Sequence, residues 1–223
     1  MRRTFLLSLF IAVLFSSCTG YRYSQQDNPL SQYGITSLSV PMFHNFSNQP
    51  EVAGDFTRET YRLLTGYSGL KLSSGYNKEA DALMVGIIKS PERVSETLIP
   101  GNFRVAEERA GDAIGNKRQR FFIPGTSQAN LYLQVIVIKK PTEEELALLK
   151  SGIGDQIKLT SKVIFNETLP LRAQYTREIF NKDGDINSVD ITATQNEGVR
   201  RKTMQSMAEQ AALSIRDMIL YAF

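Results

Sequence analysis

The N-terminal segment constrains this chain more than any other stretch. It begins with Arg2 and Arg3, continues as an almost unbroken apolar run from Phe5 to Phe15, and then has two serines before the only cysteine, Cys18. A basic start, a short apolar run and small residues form the three parts of a secretory signal, and the run is too short to span a bilayer as a mature helix. An exported chain with one cysteine can form no internal disulfide, so the fold must rest on packing.

The position of Cys18 directly after small residues favours cleavage before the cysteine, with acyl chains such as palmitate attached to its thiol and to the new amine. Each buried methylene contributes about 0.8 kcal/mol and one chain binds only marginally, so three chains would anchor the protein firmly. Thr19 stands where an inner-membrane retention signal would place aspartate. We therefore expect an outer-membrane anchor. The alternative is an ordinary secreted protein whose free Cys18 lies near the cut.

Size and charge describe the part that remains after cleavage. Residues 1–17 contain two of the 26 basic residues and none of the 23 acidic ones, which leaves 24 − 23 = +1. A nearly neutral body is not a general polyanion binder, so nucleic acid is not an expected partner. The predicted organisation is a signal peptide over 1–17, a lipidated N-terminus and tether over 18–33, and a single domain over 34–223 with inserts at about 91–128 and 141–155.

Hydrophobic periodicity predicts strands and two main helices. A half-buried strand is expected over Ile35–Met42, followed by an amphipathic helix over Pro50–Thr65 that Asn48 or Gln49 could cap. The longest helix is expected over Glu197–Tyr221. Further strands are predicted at Leu70–Leu72, Ala82–Ile88, Ala129–Lys139 and Ile157–Phe165, with Leu171–Ile179 as a continuation of the last one.

This order of elements predicts an α+β fold. We expect a two-layer sandwich, with the two main helices packed on one face of a mainly antiparallel sheet of four to five strands. The apolar stripe of the last helix, Met204 to Ile219, is interpreted as core, and a groove for a partner is the alternative. Thr142 and Glu145 predict a short capped helix in the second insert. The first insert, 91–128, is long and turn-rich, which is typical of functional or disordered loops.

The sequence offers little that could carry catalysis. His44 is the only histidine, so neither a histidine-based metal cluster nor a histidine triad can form. No glycine-rich phosphate loop with its lysine is present. We therefore expect a protein that is not an enzyme and that uses no cofactor and no metal.

A basic and aromatic patch lies in the first insert. Lys117, Arg118 and Arg120 lead directly into Phe121 and Phe122. Basic groups beside aromatic rings suit an amphiphile that carries phosphates above acyl chains. The alternative is a solvated loop whose phenylalanines pack into the core.

Several short motifs resemble the lipopolysaccharide (LPS)-assembly lipoproteins of the LptE type. They are Cys18–Arg22, Ile35–Phe43, Asn45, Asn48–Glu51, Phe56–Arg58, Gly69–Leu72 and Ala80–Leu83. The resemblance implies a plug inside the lumen of the outer-membrane β-barrel LptD, which assists assembly of the barrel and binds LPS on its way to the cell surface. The two inserts have no counterpart in this pattern. Only Cys18 is therefore carried over, as the lipid-attachment site, whereas Lys117, Arg118 and Arg120 are this sequence's own candidates for LPS contact.

A second group of lipoproteins shares part of the pattern. A strand ending at Val40–Pro41, a loop with Phe46 and Asn48, and an amphipathic helix also resemble lipoproteins that activate peptidoglycan synthases or build curli-type secretion pores. Such a protein would bind a synthase or form a ring. This alternative stays open on the sequence alone.

Overall fold

A computed structural model describes residues 26–105, 122–151, 162–177 and 188–221. In this part of the chain three α-helices occur: α1 (Val52–Leu64), α2 (Glu143–Lys150) and α3 (Ser188–Tyr221). The strands are β1 (Gln26–Asp27), β2 (Ser37–Val40), β3 (His44–Phe46), β4 (Tyr67–Ser68), β5 (Lys71–Ser74), β6 (Ala82–Lys89), β7 (Leu98–Val105), β8 (Phe122–Lys139) and β9 (Val163–Thr176).

Seven of these strands form one mixed sheet around β8. β9 pairs with one edge of β8, while β6 and β7 lie one after the other along its opposite edge. β2 and β3 follow each other along β6, and β5 lies outside β2. The order across the sheet is therefore β5, then β2 with β3, then β6 with β7, then β8, then β9. The short strands β1 and β4 pair separately.

The α+β class is confirmed, and the long pairs of β8 with β6, β7 and β9 are antiparallel as expected. The predicted number of four to five strands is wrong, and the sheet is mixed. The sheet has seven strands, and β2 runs parallel to both β5 and β6, as β3 does to β6. The reason is α1, which separates β2 and β3 from the strands they pair with. A helical crossover returns the chain in its original direction and so produces parallel pairs.

Two helices bury their apolar faces against one face of the sheet, as predicted. α1 contributes Val52, Phe56 and Leu64 to this core. The stripe of α3 is buried here as well, so its assignment to the core is confirmed. Its core members are Met204, Met207, Ala208, Ala211, Ile215 and Ile219. These side chains pack on the strand residues Leu131, Leu133, Val135 and Val137 of β8.

The third helix makes the two-layer description incomplete. α2 begins with the predicted capping box of Thr142 and Glu145. Its residues Leu146 and Leu149 are buried on the opposite face of the sheet. They form a second core with Leu83, Val85, Ile87, Ile136 and Ile138. β6 is buried on both sides for this reason, and the domain has three layers at this end.

The polypeptide preceding β2 is already part of the domain. Leu30 is 1% exposed within the main core, and Asn28 caps the 3₁₀ helix Pro29–Tyr33 by accepting a hydrogen bond from the amide of Leu30. The tether expected up to residue 33 therefore does not extend over these residues.

The first insert is more regular than its composition predicts. β7 and the start of β8 pair antiparallel, from Leu98 opposite Ala129 to Val105 opposite Phe122. β-branched and aromatic residues between turn formers produce strands here, and the expectation of a structureless loop is wrong for both ends of the insert. β9 is likewise one continuous strand, not two.

The start of α1 differs from the predicted cap. Glu51 precedes the helix with a left-handed φ of 65°, and its side chain makes no capping hydrogen bond. The Glu51 carboxylate lies instead 2.9 Å from Arg201 of α3. Glu51 therefore occupies the N-cap position that was expected for Asn48 or Gln49.

Candidate functional site

Hydrogen bonds of the motif residue Asp81 connect the start of β2 to the start of β6. One carboxylate oxygen of Asp81 accepts hydrogen bonds from the amide of Thr36, the hydroxyl of Thr36 and the amide of Ser37, each at 2.9 Å. The Ser37 hydroxyl accepts in turn from the Asp81 amide at 2.9 Å. The hydrogen bond from the Thr36 amide, together with those involving Ser37 and the Thr36 hydroxyl, holds the pKa of Asp81 far below its usual range.

A second motif residue, Asn45, closes the loop between β3 and α1. Its amide group donates to the carbonyl of Gln49 at 2.7 Å, and its side-chain oxygen accepts from the amide and hydroxyl of Ser47. The loop is also tied to the end of β6, because the Asn48 amide donates to the Ser90 hydroxyl at 3.1 Å.

Phe43 connects the same unit to the sheet and to α1. Its ring lies against Gly86 so closely that a Cβ at this position would overlap it. The Phe43 amide donates to the Thr57 hydroxyl of α1 at 2.9 Å. The motif residues Phe43, Asn45 and Asp81 therefore position β2, β3 and α1. Their described contacts are therefore structural.

His44 lies half-buried on β3. Burial, with a smaller effect of the Lys150 charge, lowers its pKa. In the described ranges no group of three histidine, cysteine, aspartate or glutamate side chains could hold a metal ion.

The strongest candidate for a functional surface is the part of the sheet's second face that α2 leaves uncovered. We call it the open face and define it by Lys89 of β6, Tyr132 and Gln134 of β8, and Asn166 and Thr168 of β9. Tyr132 is 40% exposed and Thr168 is exposed as well. A cavity of about 410 Å³ lies over all of these residues except Asn166, and it is bordered by Pro91, Glu92 and Glu96.

Side-chain amides fix the open face. The Gln134 amide group donates to the Asn166 side chain at 2.9 Å, and the Lys89 ammonium donates to the Gln134 side-chain oxygen at 3.2 Å. Further along β8, Gln128 donates to Asn130 at 2.8 Å. These hydrogen bonds hold the polar side chains in position around the exposed Tyr132.

The structure also shows a charged cleft that sequence reasoning missed. It has a volume of about 510 Å³ between the first turn of α1 and α3, and it is lined by Arg58, Arg200, Arg201 and Lys202 among others. The run Arg200-Arg201-Lys202 is the signal that could have indicated it. Most of this charge is already paired, since Arg200 lies 2.6 Å from Glu197 and Arg58 lies 2.8 Å from Asp55.

The predicted site residues Cys18, Lys117, Arg118 and Arg120 lie outside the described residues, and so does Phe121. The structure describes β7 and β8, the strands that precede and follow the basic patch in the sequence. β7 ends at Val105 opposite the first residue of β8, Phe122. The patch therefore belongs to the connection between two paired strands, next to the start of β8.

No family model and no curated protein matches this chain. Among solved structures, a candidate lipoprotein from Caulobacter crescentus is 7% identical, with a TM-score of 0.38, and the match covers 81% of this chain and 88% of that one. A candidate neuraminyllactose-binding hemagglutinin homolog from Helicobacter pylori is 10% identical, with a TM-score of 0.41 over 87% and 88% of the two chains.

Rare lipoprotein B from Shewanella oneidensis is 12% identical, with a TM-score of 0.37 over 83% of this chain and 92% of that one. Values this low assign neither the fold nor the function. Within the described ranges, none of the helices combines the length and the apolar character that crossing a membrane requires.

Proposed function

We propose that this chain is an outer-membrane lipoprotein, anchored through Cys18, that plugs the lumen of an LptD-type β-barrel. In this role it helps the barrel to assemble and assists the transport of LPS to the cell surface. The protein acts by binding and not as an enzyme, and its domain lies on the periplasmic side of the membrane or within the barrel lumen.

The open face is the observation that carries this proposal. The inner wall of an outer-membrane barrel is polar, because lumen-facing and lipid-facing residues alternate along its strands. A plug must therefore present a polar surface whose donors and acceptors are held in place. Tyr132 and Thr168 are exposed on the open face, and the buried Gln134 holds Lys89 and Asn166 in place beside them through hydrogen bonds.

The basic patch supports the second part of the proposal. LPS carries phosphates above acyl chains, and Lys117, Arg118 and Arg120 precede two phenylalanines in the sequence. Cationic side chains form strong hydrogen bonds with phosphate oxygens, and aromatic rings pack against hydrocarbon. We assign LPS contact to these three residues.

Blocking the open face tests the proposal. Thr168→Trp places a bulky side chain on the exposed surface of β9, so it should keep the barrel from seating closely and reduce its co-purification at least tenfold. Gln205→Trp introduces the same bulk at an exposed position of α3, on the other side of the domain. This control should retain the barrel as well as wild type does.

Both variants alter exposed positions, so their melting temperatures should match that of wild type. Equal loss of the barrel in the Thr168→Trp and Gln205→Trp variants would show that the loss does not depend on which face of the domain carries the tryptophan. Full retention by Thr168→Trp would mean that the open face does not contact the barrel.

A further inference from the structure

β9 has no described partner along one side of its backbone. In the described part of the chain it pairs with β8 alone, over 14 residues from Val163 to Thr176. The opposite edge strand of the sheet, β5, has only four residues. Proteins usually keep exposed edges short or cover them, because unpaired N–H and C=O groups are a template for another strand.

The register identifies which groups are free. The Arg177 amide donates to the Gly125 carbonyl at 2.8 Å. Along an antiparallel ladder, the backbone groups of alternate residues face the partner strand. Odd-numbered residues of β9 therefore face β8, and even-numbered residues face outward. Pro170 occupies an outward position, where a missing N–H does not weaken the ladder.

One half of this edge borders a groove. Beyond Pro170, the outward groups of Arg172, Gln174 and Thr176 form an uninterrupted run. A cavity of about 490 Å³ lies between Arg172–Gln174 and α3. Its apolar lining comes from Val199, which is 39% exposed, and from Met207.

The surface of α3 extends the apolar lining. Leu213 and Leu220 are the other exposed large hydrophobic residues of the helix, and they follow Val199 by 14 and 21 positions. Seven residues correspond to about two helical turns, so the three side chains lie along one side of α3. This stripe is separate from the buried one that contains Ile215.

The charges of the groove favour an acidic occupant. Arg172 and Lys202 line it, and no acidic residue does. Arg172 lies on the sheet face away from α3, because its neighbours Leu171 and Ala173 point toward the helices. A strand added to β9 would thus face apolar groups on one side and a cation on the other.

We propose that the groove between β9 and α3 accepts an extended strand of another protein, in which apolar and acidic residues alternate. The strand would continue the sheet through hydrogen bonds to the outward groups of Arg172, Gln174 and Thr176. Its apolar side chains would contact Val199 and Met207. This surface lies at the edge of the sheet, apart from the open face, and does not depend on the identity of the barrel.

A defined peptide tests the proposal with the full-length lipoprotein in detergent. The probe is a fluorescein-labelled ten-residue peptide of alternating valine and glutamate, and binding is followed by fluorescence anisotropy. Gln174→Pro removes one outward N–H without changing the ladder to β8, so it should weaken binding at least tenfold. Gln174→Ala keeps this N–H and should bind like wild type.

Charge and backbone controls make the result decisive even if Gln174→Pro fails to fold. Arg172→Glu reverses the charge that faces the acidic side chains of the added strand. It should weaken binding of the glutamate peptide and improve binding of a valine–lysine peptide. Two N-methylated forms of the glutamate peptide serve as backbone controls, one methylated on the valine amides and one on the glutamate amides. Only one of the two should bind, because only one set of N–H groups would face β9. Equal binding of the lysine and glutamate peptides to wild type, or no binding of either, would overturn the proposal.

Discussion

The carboxylate of Asp81 holds the start of β2 in place with a single oxygen atom. It accepts three hydrogen bonds from Thr36 and Ser37, all to the charged form. Asp81→Asn keeps the shape but removes the charge, and it should lower the free energy of unfolding by about 1–2 kcal/mol at pH 7, because hydrogen bonds to charged groups are worth more than neutral ones. Urea unfolding measures this difference.

The same residue predicts a pH dependence. Its pKa is lowered in the folded state, so its contribution is complete above the unfolded-state pKa of about 3.9 and is lost as the pH falls toward the folded-state value. The stability difference between wild type and Asp81→Asn should therefore shrink as the pH falls from about 5 to about 3. Over this range an ordinary aspartate, such as Asp81 in the unfolded chain, becomes protonated. A difference that stays constant over this range would contradict the role given to the charge.

Gly86 allows the Phe43 ring to lie on the sheet. Gly86→Ala would force the ring and the β2–β3 connection to move, and it should destabilise the protein by about 1–3 kcal/mol, the usual cost of overpacking. Gly54→Ala is the matched control, because Gly54 is exposed on α1 and nothing lies near its added Cβ. It should stabilise by up to about 1 kcal/mol through helix propensity. Thermal unfolding of the pair distinguishes the two effects, and equal shifts would refute the close approach at Gly86.

At the scale of elements, the two main helices were predictable because each repeats an apolar side chain every three or four residues. The direction of the strands was not, because alternation along a strand is the same whether its neighbours run parallel or antiparallel. The start of α1 was missed for a related reason. Glu51 forms an ion pair with Arg201, 150 positions away, and no local pattern contains that partner.

The division of α3 into a buried and an exposed side can be tested within one helix. Ile215 is fully buried, whereas Leu213 is 46% exposed. Ile215→Asp would place an unpaired charge in the core and should lower the free energy of unfolding by several kcal/mol, at least about 3. Leu213→Asp should change it by no more than about 0.5 kcal/mol. Similar melting temperatures for wild type and Ile215→Asp would show that the stripe is exposed.

The basic patch makes a prediction that separates two kinds of binding. Replacing Lys117, Arg118 and Arg120 with glutamate should reduce LPS retention by the purified protein and leave the barrel complex intact. Raised salt should weaken LPS binding by wild type in the same way, because exposed charges are screened beyond a Debye length of about 8 Å at physiological salt. If the triple variant retains LPS like wild type, these residues do not contact it.

For the molecule as a whole, the predicted export signal and the nearly neutral charge of the remaining chain depend only on composition and residue order. The open face could not be predicted in this way, because its residues come from β6, β8 and β9 and meet only in the folded sheet, where α2 leaves them uncovered. Phe43, Asn45 and Asp81, which belong to the motifs behind the family resemblance, hold β2, β3 and α1 together. They therefore indicate an architecture more directly than a ligand.

The stoichiometry of the complex purified from outer membranes tests the central claim most directly. Full-length protein with a C-terminal affinity tag would be extracted in mild detergent, and its partners identified and quantified by mass spectrometry. The account predicts a large outer-membrane β-barrel in a ratio close to one to one with this protein. A peptidoglycan synthase in that position, or a homo-oligomeric ring without a barrel, would contradict it.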